Sequence, residues 1–382
     1  MTSFFQNRTL PELALPGIAA AAVIYHALAA VWLRRWIGES KRVKPLANRP
    51  PVTFFRPVKR GVLRLRDKLE RLIHACSAGD QIILCADAGG DLEICESVQR
   101  GHATRDIAVV PSAPSRIANP KIAKLVQMSP LARHAHWIVS DSEALFDAEF
   151  VEGFCAEWIA SGVAGMSAGY RFAGGTTLPQ RLDHASTLVT LWPGLAMARR
   201  LGKARFFLGA CMAVKKSSME AVGGWERFGD FLAEDNRLGA AIAERGGILL
   251  SSQVVTLDSD PMNWRDYFSH QHRVAVTYRV ADAPGFFAMA VTHGIPAALL
   301  FAANEPGQAW RWMVLGIVLL ARLATAAANA RALRFPLRKF APVVLIACAA
   351  EPFFWLGSWL PLPVRWGPRR LRLARDGRIL ET

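Results

Sequence analysis

The apolar residues of this chain are concentrated in uncharged stretches near both ends, and these stretches predict membrane helices. Residues 13–33 contain no formally charged side chain, and 21 residues in a helix suffice to cross a hydrocarbon core of about 30 Å. Residues 286–303 and 312–330 predict two further crossings that form a helical hairpin. Residues 340–364 are interrupted by Glu351-Pro352 and have basic residues on both sides, which favours a re-entrant or interfacial segment over a full crossing.

The middle of the chain alternates short apolar runs with segments of helical character. The runs at 52–55, 81–86, 107–110, 136–139 and 248–257 predict strands, whereas 63–76, 121–128 and 230–244 predict helices. Such alternation predicts an α/β fold with a largely parallel sheet. We therefore expect a membrane anchor and linker over 1–44, an α/β domain ending in a basic interfacial helix over 45–283, and a membrane region with a basic tail over 284–382.

Composition and charge support a membrane protein and argue against nucleic-acid binding. The chain is 52% hydrophobic with a mean hydropathy of +0.19, which is high for a purely soluble protein. The net charge is +15, but Lys and Arg lie mainly beside the apolar stretches, where they suit anionic lipid headgroups better than a nucleic-acid groove. The lipid bilayer is therefore an expected partner.

Basic residues follow the first apolar stretch, at Arg34, Arg35 and Lys41, and the positive-inside rule then places the α/β domain in the cytoplasm. A cleaved signal peptide is the alternative interpretation, because Ala27-Leu28-Ala29 resembles a cleavage site. The preceding region carries only Arg8 against Glu12, which favours an uncleaved anchor.

Acidic residues stand directly after two of the predicted strands. Asp87 follows the run 81–86, and Asp141 and Glu143 follow the run 136–139. In α/β sheets ligands bind beyond the carboxyl ends of the strands, where Asp87 could accept hydrogen bonds from a nucleoside. Asp141 and Glu143 alternate, so both carboxylates could face one Mg²⁺ or Mn²⁺, an ion that also takes phosphate oxygens.

Ordinary turns and caps are the alternative interpretation of the same acids. Asp87 precedes Gly89-Gly90, a common turn pattern, and Ser142 with Glu143 could cap a helix beginning near Ala144. The two interpretations predict different structures after residue 140: a metal-binding strand end or a helix start.

A third acidic site opens a predicted helix at Glu234-Asp235. Transfer of a group to a hydroxyl needs a general base, and Asp235 is the candidate, although Glu234 could fill the role or either acid could simply favour the helix dipole. Neighbours on a helix diverge by about 100°, so we expect only one of the two to face the site.

Two basic side chains on the predicted interfacial helix, His270 and Arg273, could bind a diphosphate, or lipid phosphates at the membrane surface instead. His270 and His272 are two residues apart and do not share a helix face, which argues against zinc.

Five segments together resemble the family 2 and family 21 glycosyltransferases, in particular the ceramide glucosyltransferase branch and the bacterial hopanoid-associated branch. They carry the family's opening strand, first aspartate, Asn-x-Lys element, metal-binding acids and proposed base, at Phe55-Arg56-Pro57-Val58-Lys59, Ile83-Leu84-Cys85-Ala86-Asp87, Asn119-Pro120-Lys121, Trp137-Ile138-Val139-Ser140-Asp141-Ser142-Glu143 and Phe231-Leu232-Ala233-Glu234-Asp235. The chain also has His270-Gln271-His272-Arg273-Val274 where the family usually has [QR]xxRW, so the arginine is kept and the tryptophan is lost.

This resemblance implies a GT-A fold with a Rossmann-like mixed sheet and inverting transfer from a UDP-sugar to the hydroxyl of a membrane lipid of hopanoid or ceramide type. It implies a multi-pass protein of the bacterial inner membrane with its catalytic domain facing the cytoplasm, and a divalent metal, Mg²⁺ or Mn²⁺. The base would be Asp235, the metal ligands Asp141 and Glu143, and the donor-binding residues Pro57, Asp87, Lys121, Asp141, His270 and Arg273.

Two other functions stay open. The chain could be a processive polysaccharide synthase whose C-terminal helices form a conduit, although two or three short segments are few for that purpose. It could also be a membrane scaffold or lipid-binding protein that has kept the fold and lost activity, and Val274 in place of the family's tryptophan is the feature that favours this.

Overall fold

The computed structural model of the chain describes residues 10–367 and 369–380, with side chains described outside 10–12 and 337–341. Its helices are α1 Leu10–Gly38, α2 Leu65–Ala75, α3 Gly90–Gly101, α4 Pro120–Met128, α5 Ala148–Ser161, α6 Leu178–Ser186, α7 Trp192–Arg200, α8 Lys216–Ala221, α9 Glu234–Gly246, α10 Trp264–Ala281, α11 Ala283–His293, α12 Ile295–Asn304, α13 Ala309–Ala332 and α14 Leu337–Gly357. Its strands are β1 Val52–Pro57, β2 Gln81–Ala86, β3 Asp106–Pro111, β4 His136–Ser140, β5 Ala144–Leu145, β6 Gly165–Phe172, β7 Cys211–Lys215, β8 Ile248–Leu257, β9 Val364–Trp366, β10 Arg369–Leu373 and β11 Ile379–Leu380.

These elements form two compact units, each assembled from segments distant in sequence. The sheet unit consists of residues 37–175, 201–261 and 370–380. The helical unit consists of residues 10–36, 176–200 and 262–367 together with 369.

An eight-stranded mixed sheet forms the centre of the sheet unit, in the order β3-β2-β1-β4-β7-β6-β8-β5. The first four strands in that order run parallel, and Phe54 of β1 lies between Ile82 of β2 and Ile138 of β4. β7 is antiparallel to β4 and β6, β8 is parallel to β6, and β5 is antiparallel to β8. The predicted α/β class is confirmed. The parallel half of the sheet consists of β1 to β4, which correspond to the first four strands predicted from the sequence.

The parallel strands are fixed by apolar packing on both of their faces. All six residues of β1 and all six of β2 are buried, as is usual for parallel strands covered on both sides. Phe55 and Trp137 meet edge to face with ring centroids 5.3 Å apart, and Ile83 and Leu125 belong to the same core. Rigid strands hold their carboxyl ends, and therefore the loops that follow, in fixed positions.

Two local predictions in this unit were wrong. The helix expected to start at Asp230 starts at Glu234, because Phe231 forms an antiparallel bridge with Arg378. The alternative in which a helix begins near Ala144 is also wrong, because Ala144 pairs in β5 with Leu257 of β8. That helix, α5, begins at Ala148, and Asp147 caps it by accepting a hydrogen bond from the amide of Phe150 at 2.8 Å.

Among the described residues, two helices are long and apolar enough to cross a membrane, Leu13–Arg42 and Ala309–Ala332. The N-terminal anchor and the second arm of the C-terminal hairpin are therefore confirmed as apolar helices. The first arm, predicted as one crossing over 286–303, is instead a pair of helices, α11 and α12, bent by 46°.

The break between α11 and α12 has a clear backbone cause. Gly294 has φ +64°, which favours glycine, and Pro296 lies in the first turn of α12. The carbonyls freed at the end of α11 find donors on other helices: Nη1 of Arg322 lies 3.0 Å from the oxygen of His293, and Nε2 of His26 lies 3.0 Å from that of Thr292. Internal partners of this kind are what a broken helix in a membrane needs.

The Glu351-Pro352 pair that interrupts the last apolar stretch of the sequence does not break the helix, because α14 continues through Pro352 to Gly357. Its apolar part, Pro342–Gly357, is shorter than a spanning helix, so a re-entrant or interfacial position stays a prediction.

We expect Gly239→Ala to lower the melting temperature of the protein. Alanine normally stabilises a helix relative to glycine, but a Cβ on Gly239 would lie 2.3 Å from the backbone nitrogen of Phe207. Overpacking of this kind costs about 1–3 kcal/mol. The control is Gly101→Ala, because nothing lies within 4 Å of a Cβ there. Thermal unfolding followed by tryptophan fluorescence should show a loss for the first variant alone, and equal melting temperatures would contradict the packing argument.

Candidate functional site

Three residues predicted to bind the donor lie at the carboxyl ends of adjacent strands in the sheet unit. Pro57 ends β1, Asp87 follows β2, and Asp141 follows β4, with β1 between the other two strands. The amide of Val58 donates to the carbonyl of Cys85 at 2.8 Å, which holds the loops after β1 and β2 together. The predicted placement of Asp87 and Asp141 beyond the ends of strands is confirmed.

Helix α4 brings two lysines to this edge of the sheet. Its first turn is capped by Asn119, whose side-chain oxygen accepts hydrogen bonds from the amides of Lys121 and Ile122. Lys121 and Lys124 are three residues apart and therefore lie on one face of the helix. Their ammonium groups reach the acids that follow the strands.

The ammonium group of Lys121 is the meeting point of three distant segments. Its Nζ lies 2.8 Å from Oδ1 of Asp141, 2.9 Å from the carbonyl oxygen of Gly209 and 3.7 Å from Oε1 of Glu234. Only 15% of the side chain is exposed. A lysine in this position is held by ionic and hydrogen-bonding partners from β4, from the turn before β7 and from α9.

Both acids at the start of α9 lie beside this group. Oε2 of Glu234 accepts a hydrogen bond from Nδ2 of Asn119 at 3.1 Å, and Oδ2 of Asp235 accepts one from the amide of Gly209 at 2.7 Å. The charge of Lys121 opposes the raised pKa of both carboxylates, so both acids belong to this cluster. That only one of them faces the substrate stays a prediction.

Gly209 is required by the closeness of these groups. A Cβ at this position would lie 3.0 Å from Nζ of Lys121 and 3.1 Å from Oδ2 of Asp235. A side chain would therefore press directly on the ion pair. The sequence showed Gly209 only as the start of a small-residue run.

The electrostatics of the cluster follow from burial and proximity. Burial and the neighbouring Asp235 raise the pKa of Glu234 to about 7. Burial also raises the pKa of Asp235, although Lys121 and two backbone amides oppose the shift. Burial alone would lower the pKa of Lys121, but Asp141 and Glu234 outweigh it and raise that pKa above its ordinary value. Lys121 is therefore a cation at neutral pH, and Glu234 exchanges its proton near neutral pH.

The remaining predicted acids each pair with a lysine that the sequence did not single out for pairing. Oδ1 of Asp87 lies 3.0 Å from Nζ of Lys124, which also donates to the carbonyl of Val58 at 2.5 Å. Glu143 pairs with Lys59, whose Nζ lies 3.0 Å from Oδ2 of Asp260 as well. Lys124 could have been found from the sequence, because it stands three residues after Lys121 and this spacing places both side chains on one face of the helix.

A divalent cation fits the charges of this site. The six acids Asp87, Asp141, Glu143, Glu234, Asp235 and Asp260 outnumber the three ammonium groups of Lys59, Lys121 and Lys124, so negative charge is in excess even though the raised pKa of Glu234, about 7, leaves it only partly ionised at neutral pH. A diphosphate cannot approach such an excess of negative charge favourably without a counter-cation.

The protein ligands present are also of the right kind. Among the residues that the structure describes, no group of three or more His, Cys, Asp or Glu side chains could hold a metal ion. Mg²⁺ at a nucleotide site needs only one or two carboxylates, because phosphates and water complete its coordination. The side chain of Asp141 is 44% exposed and can serve in this way.

His270 and Arg273 lie on α10 in the helical unit, whereas the acids above lie in the sheet unit. Nδ1 of His270 lies 2.6 Å from Oδ1 of the buried Asp183, which also accepts a hydrogen bond from Nε2 of Gln271 at 2.8 Å. These partners hold the pKa of Asp183 below its ordinary value against the opposing effect of burial. Asp183 could not be identified from local sequence patterns, because its partner His270 is 87 residues away.

Comparison with known proteins links the whole chain to one family. The model of the family described as "Glycosyl transferase family 21" matches residues 14–379. The chain is 23% identical to "Ceramide glucosyltransferase 1" of Caenorhabditis elegans, over 96% of this chain and 81% of the relative.

Similar solved structures include a mannosyltransferase, PcManGT, from Pyrobaculum calidifontis in complex with GDP-Man and Mn²⁺, at 19% identity and a TM-score of 0.48 over 89% of this chain and 99% of that one. They also include TarS 1-349 of S. aureus in complex with UDP-GlcNAc, at 12% identity and a TM-score of 0.38 over 87% and 99%. At TM-scores below 0.5 these likenesses carry no inference about substrates or residue roles.

The raised pKa of Glu234 predicts a loss of stability as pH increases. Because this pKa is about 7 in the folded protein against an ordinary value of 4.5, the folded state binds more protons than the unfolded state between these pH values. Stability therefore falls as pH rises through that window. Glu234→Gln removes this titration. We therefore expect the melting temperature of the variant minus that of wild type to increase from about pH 5 to about pH 8, which are roughly the edges of this window.

The control is Glu220→Gln, at an exposed position on α8. Its difference from wild type should stay constant over the same pH range. If the melting temperatures of Glu234→Gln and wild type changed with pH in parallel, the raised pKa of Glu234 would be contradicted.

Proposed function

We propose, from the premise that the chain belongs to glycosyl transferase family 21, that it moves a sugar from a UDP-sugar to a hydroxyl group of a membrane lipid with inversion at the anomeric carbon. The observation that carries the proposal is the convergence of Asp141 and Glu234 on Lys121 at the carboxyl ends of the strands, with Asp235 held beside them by the amide of Gly209. The family supplies the reaction class, and the cluster supplies charged groups suited to that reaction.

A lipid acceptor is supported by two independent features. The relative from Caenorhabditis elegans is named for ceramide and glucose transfer. The described part of the chain itself has two helices long and apolar enough to cross a membrane. A hydroxyl on a ceramide- or hopanoid-type lipid is the acceptor that fits both, and the basic residues after α1 favour a sheet unit on the cytoplasmic side of a bacterial inner membrane.

Asp235 is the proposed general base. It takes the proton of the acceptor hydroxyl as that oxygen forms its bond to the anomeric carbon, and the bond between that carbon and the UDP oxygen breaks on the opposite face. Two backbone amides hold its carboxylate, and its raised pKa makes it a better proton acceptor than an ordinary aspartate. Glu234 accepts a hydrogen bond from Asn119, so we assign it a supporting role beside the base and not the role of the base itself.

The other proposed roles follow the geometry of the loops. Asp87 binds the nucleoside beyond β2, and Lys121 fixes Asp141 beside the diphosphate. Asp141, with Glu143, would hold Mg²⁺ or Mn²⁺, and such an ion supplies neutralisation of the diphosphate charge when bound. Donor contacts of Pro57 and of His270 with Arg273 stay predictions.

Asp235→Asn should lower sugar transfer by at least about 100-fold, because a positioned base contributes 10²–10⁴-fold. UDP affinity, measured by calorimetry, should stay close to that of wild type because the substitution keeps the hydrogen-bond acceptor at Gly209. Asp230→Asn is a matched control on the same loop, outside the Lys121 cluster. Full activity of Asp235→Asn would remove this residue from the base role.

Purified protein in lipid nanodiscs should convert UDP-sugar and membrane lipid into a glycolipid detectable by mass spectrometry. Chelation of divalent cations should stop the conversion, and Mg²⁺ or Mn²⁺ should restore it, because the uncompensated carboxylates otherwise repel the diphosphate. A scaffold protein would give neither a glycolipid nor UDP release. A processive synthase would give a lengthening polysaccharide instead of a singly glycosylated lipid.

A further inference from the structure

The C-terminal residues of the chain lie against the loop that carries the proposed base. Within the sheet unit, the amide of Ile379 donates to the carbonyl of Asp230 at 2.7 Å, and the amide of Leu232 donates to the carbonyl of Gly377 at 3.2 Å. Between these two bonds, Phe231 and Arg378 form an antiparallel bridge. We call residues 376–380 the C-terminal strap. It comes from beyond the last apolar helix, yet it pairs with a loop almost 150 residues earlier, as the positions of Asp230 and Ile379 show.

Side chains reinforce the backbone pairing. The guanidinium groups of Arg378 and Arg237 lie 5.4 Å and 5.5 Å from the ring centroid of Phe231, within cation–π range. Nη2 of Arg237 also donates to the carbonyl of Asp376 at 2.6 Å, so α9 itself is bonded to the strap. Ile379 is buried, and its pairing with Leu373 fixes the strap to β10.

The same loop is bonded to the acids on its other side. Nδ2 of Asn119 donates to the carbonyl of Phe231 at 3.1 Å and to Oε2 of Glu234 at 3.1 Å. Phe231 therefore connects the strap, through Asn119, to Glu234, which contacts Lys121.

The start of α9 depends on such support because it lacks a capping side chain. Ala233 occupies the N-cap position with a non-helical backbone and makes no side-chain hydrogen bond to the first turn. An N-cap of this type gives up about 1 kcal/mol relative to Ser, Thr, Asp or Asn. Besides their own bonds to Lys121 and Gly209, Glu234 and Asp235 therefore depend on what holds residues 230–232: Asn119 on one side and the strap on the other.

We propose that the C-terminal strap is a positioning element that keeps Glu234 and Asp235 in the geometry needed for transfer. Its residues do not contact substrate in this role, and they act through Phe231 and Leu232. This inference rests on the proposed function for the assignment of Asp235 as base. Because a displacement of about 1 Å at a reacting group can cost about 100-fold in rate, a modest shift of the loop would be measurable.

The test compares two substitutions at one position in the full-length protein in nanodiscs. Ile379→Pro removes the amide that donates to Asp230, whereas Ile379→Ala removes more of the side chain and keeps the amide. We expect Ile379→Pro to lower kcat by about 10- to 100-fold with KM for UDP-sugar and the affinity for UDP unchanged. Ile379→Ala should keep most of the activity.

A second pair tests the side chain of Arg378, which makes the cation–π contact with Phe231 and an ion pair with Asp376. Arg378→Ala should lower kcat, and Arg375→Ala, which removes an exposed arginine three residues earlier, should not. A chain ending at Ala374 should lose kcat in the same way, and an added peptide of residues 375–380 should partly restore it. Equal kcat values for wild type, Ile379→Pro and the truncated chain would overturn the proposal.

Amide hydrogen exchange separates the strap from the function itself. Ile379→Pro should speed exchange over residues 230–238 and leave exchange in β1 and β2 unchanged. If the rate falls while exchange over 230–238 stays as in wild type, the positioning role is refuted. If wild type transfers no sugar at all, the proposed function fails, and the exchange result still decides whether the strap holds the loop.

Discussion

The candidate site depends on the interactions of the largely buried ammonium group of Lys121. It joins the end of β4, the turn before β7 and the start of α9, which are far apart in sequence. A buried lysine is stable only when every neighbour is in place, and the acids around it would repel one another without the cation. The ion pair and the local fold therefore stabilise each other. This ion pair differs from a surface salt bridge, which contributes little to stability.

This arrangement explains why the site has more acids than its lysines neutralise. Lys121 forms ion pairs with both Asp141 and Glu234, Lys124 pairs with Asp87, and Lys59 pairs with Glu143. Asp235 is held mainly by the amides of Gly209 and Asn236, which orient a carboxylate without neutralising it. An oriented acid with incomplete charge compensation is suited to accept a proton, and the surplus charge favours a divalent cation once a diphosphate arrives.

The sequence predicted those parts of the site that local patterns determine. The strands ending at Ala86 and Ser140 were visible because continuous apolar runs mark strands buried on both faces, so the positions of Asp87 and Asp141 followed. The start of α9 was missed by four residues because Phe231 pairs with Arg378, a long-range contact that no local pattern contains. The break at Gly294 was missed for a different reason: hydrophobicity alone cannot distinguish one apolar helix from two, although Gly294 and Pro296 were the local signs of it.

Long basic side chains also have a shared structural task in this chain. Where the backbone leaves regular structure, one of them donates to the exposed carbonyl: Lys121 at Gly209, Lys124 at Val58, and Arg322 at His293. Arg56, fully buried in β1, donates in a similar way to the carbonyl of Ala144 in the short strand β5, with its guanidinium 5.1 Å from the ring centroid of Phe146. Part of the large positive charge is thus internal and structural, because a buried carbonyl needs a donor and a long cationic side chain can reach one from a neighbouring element. The same rule holds in the sheet unit and in the apolar helices, and it explains how loops and a broken helix keep fixed geometry beside charged groups.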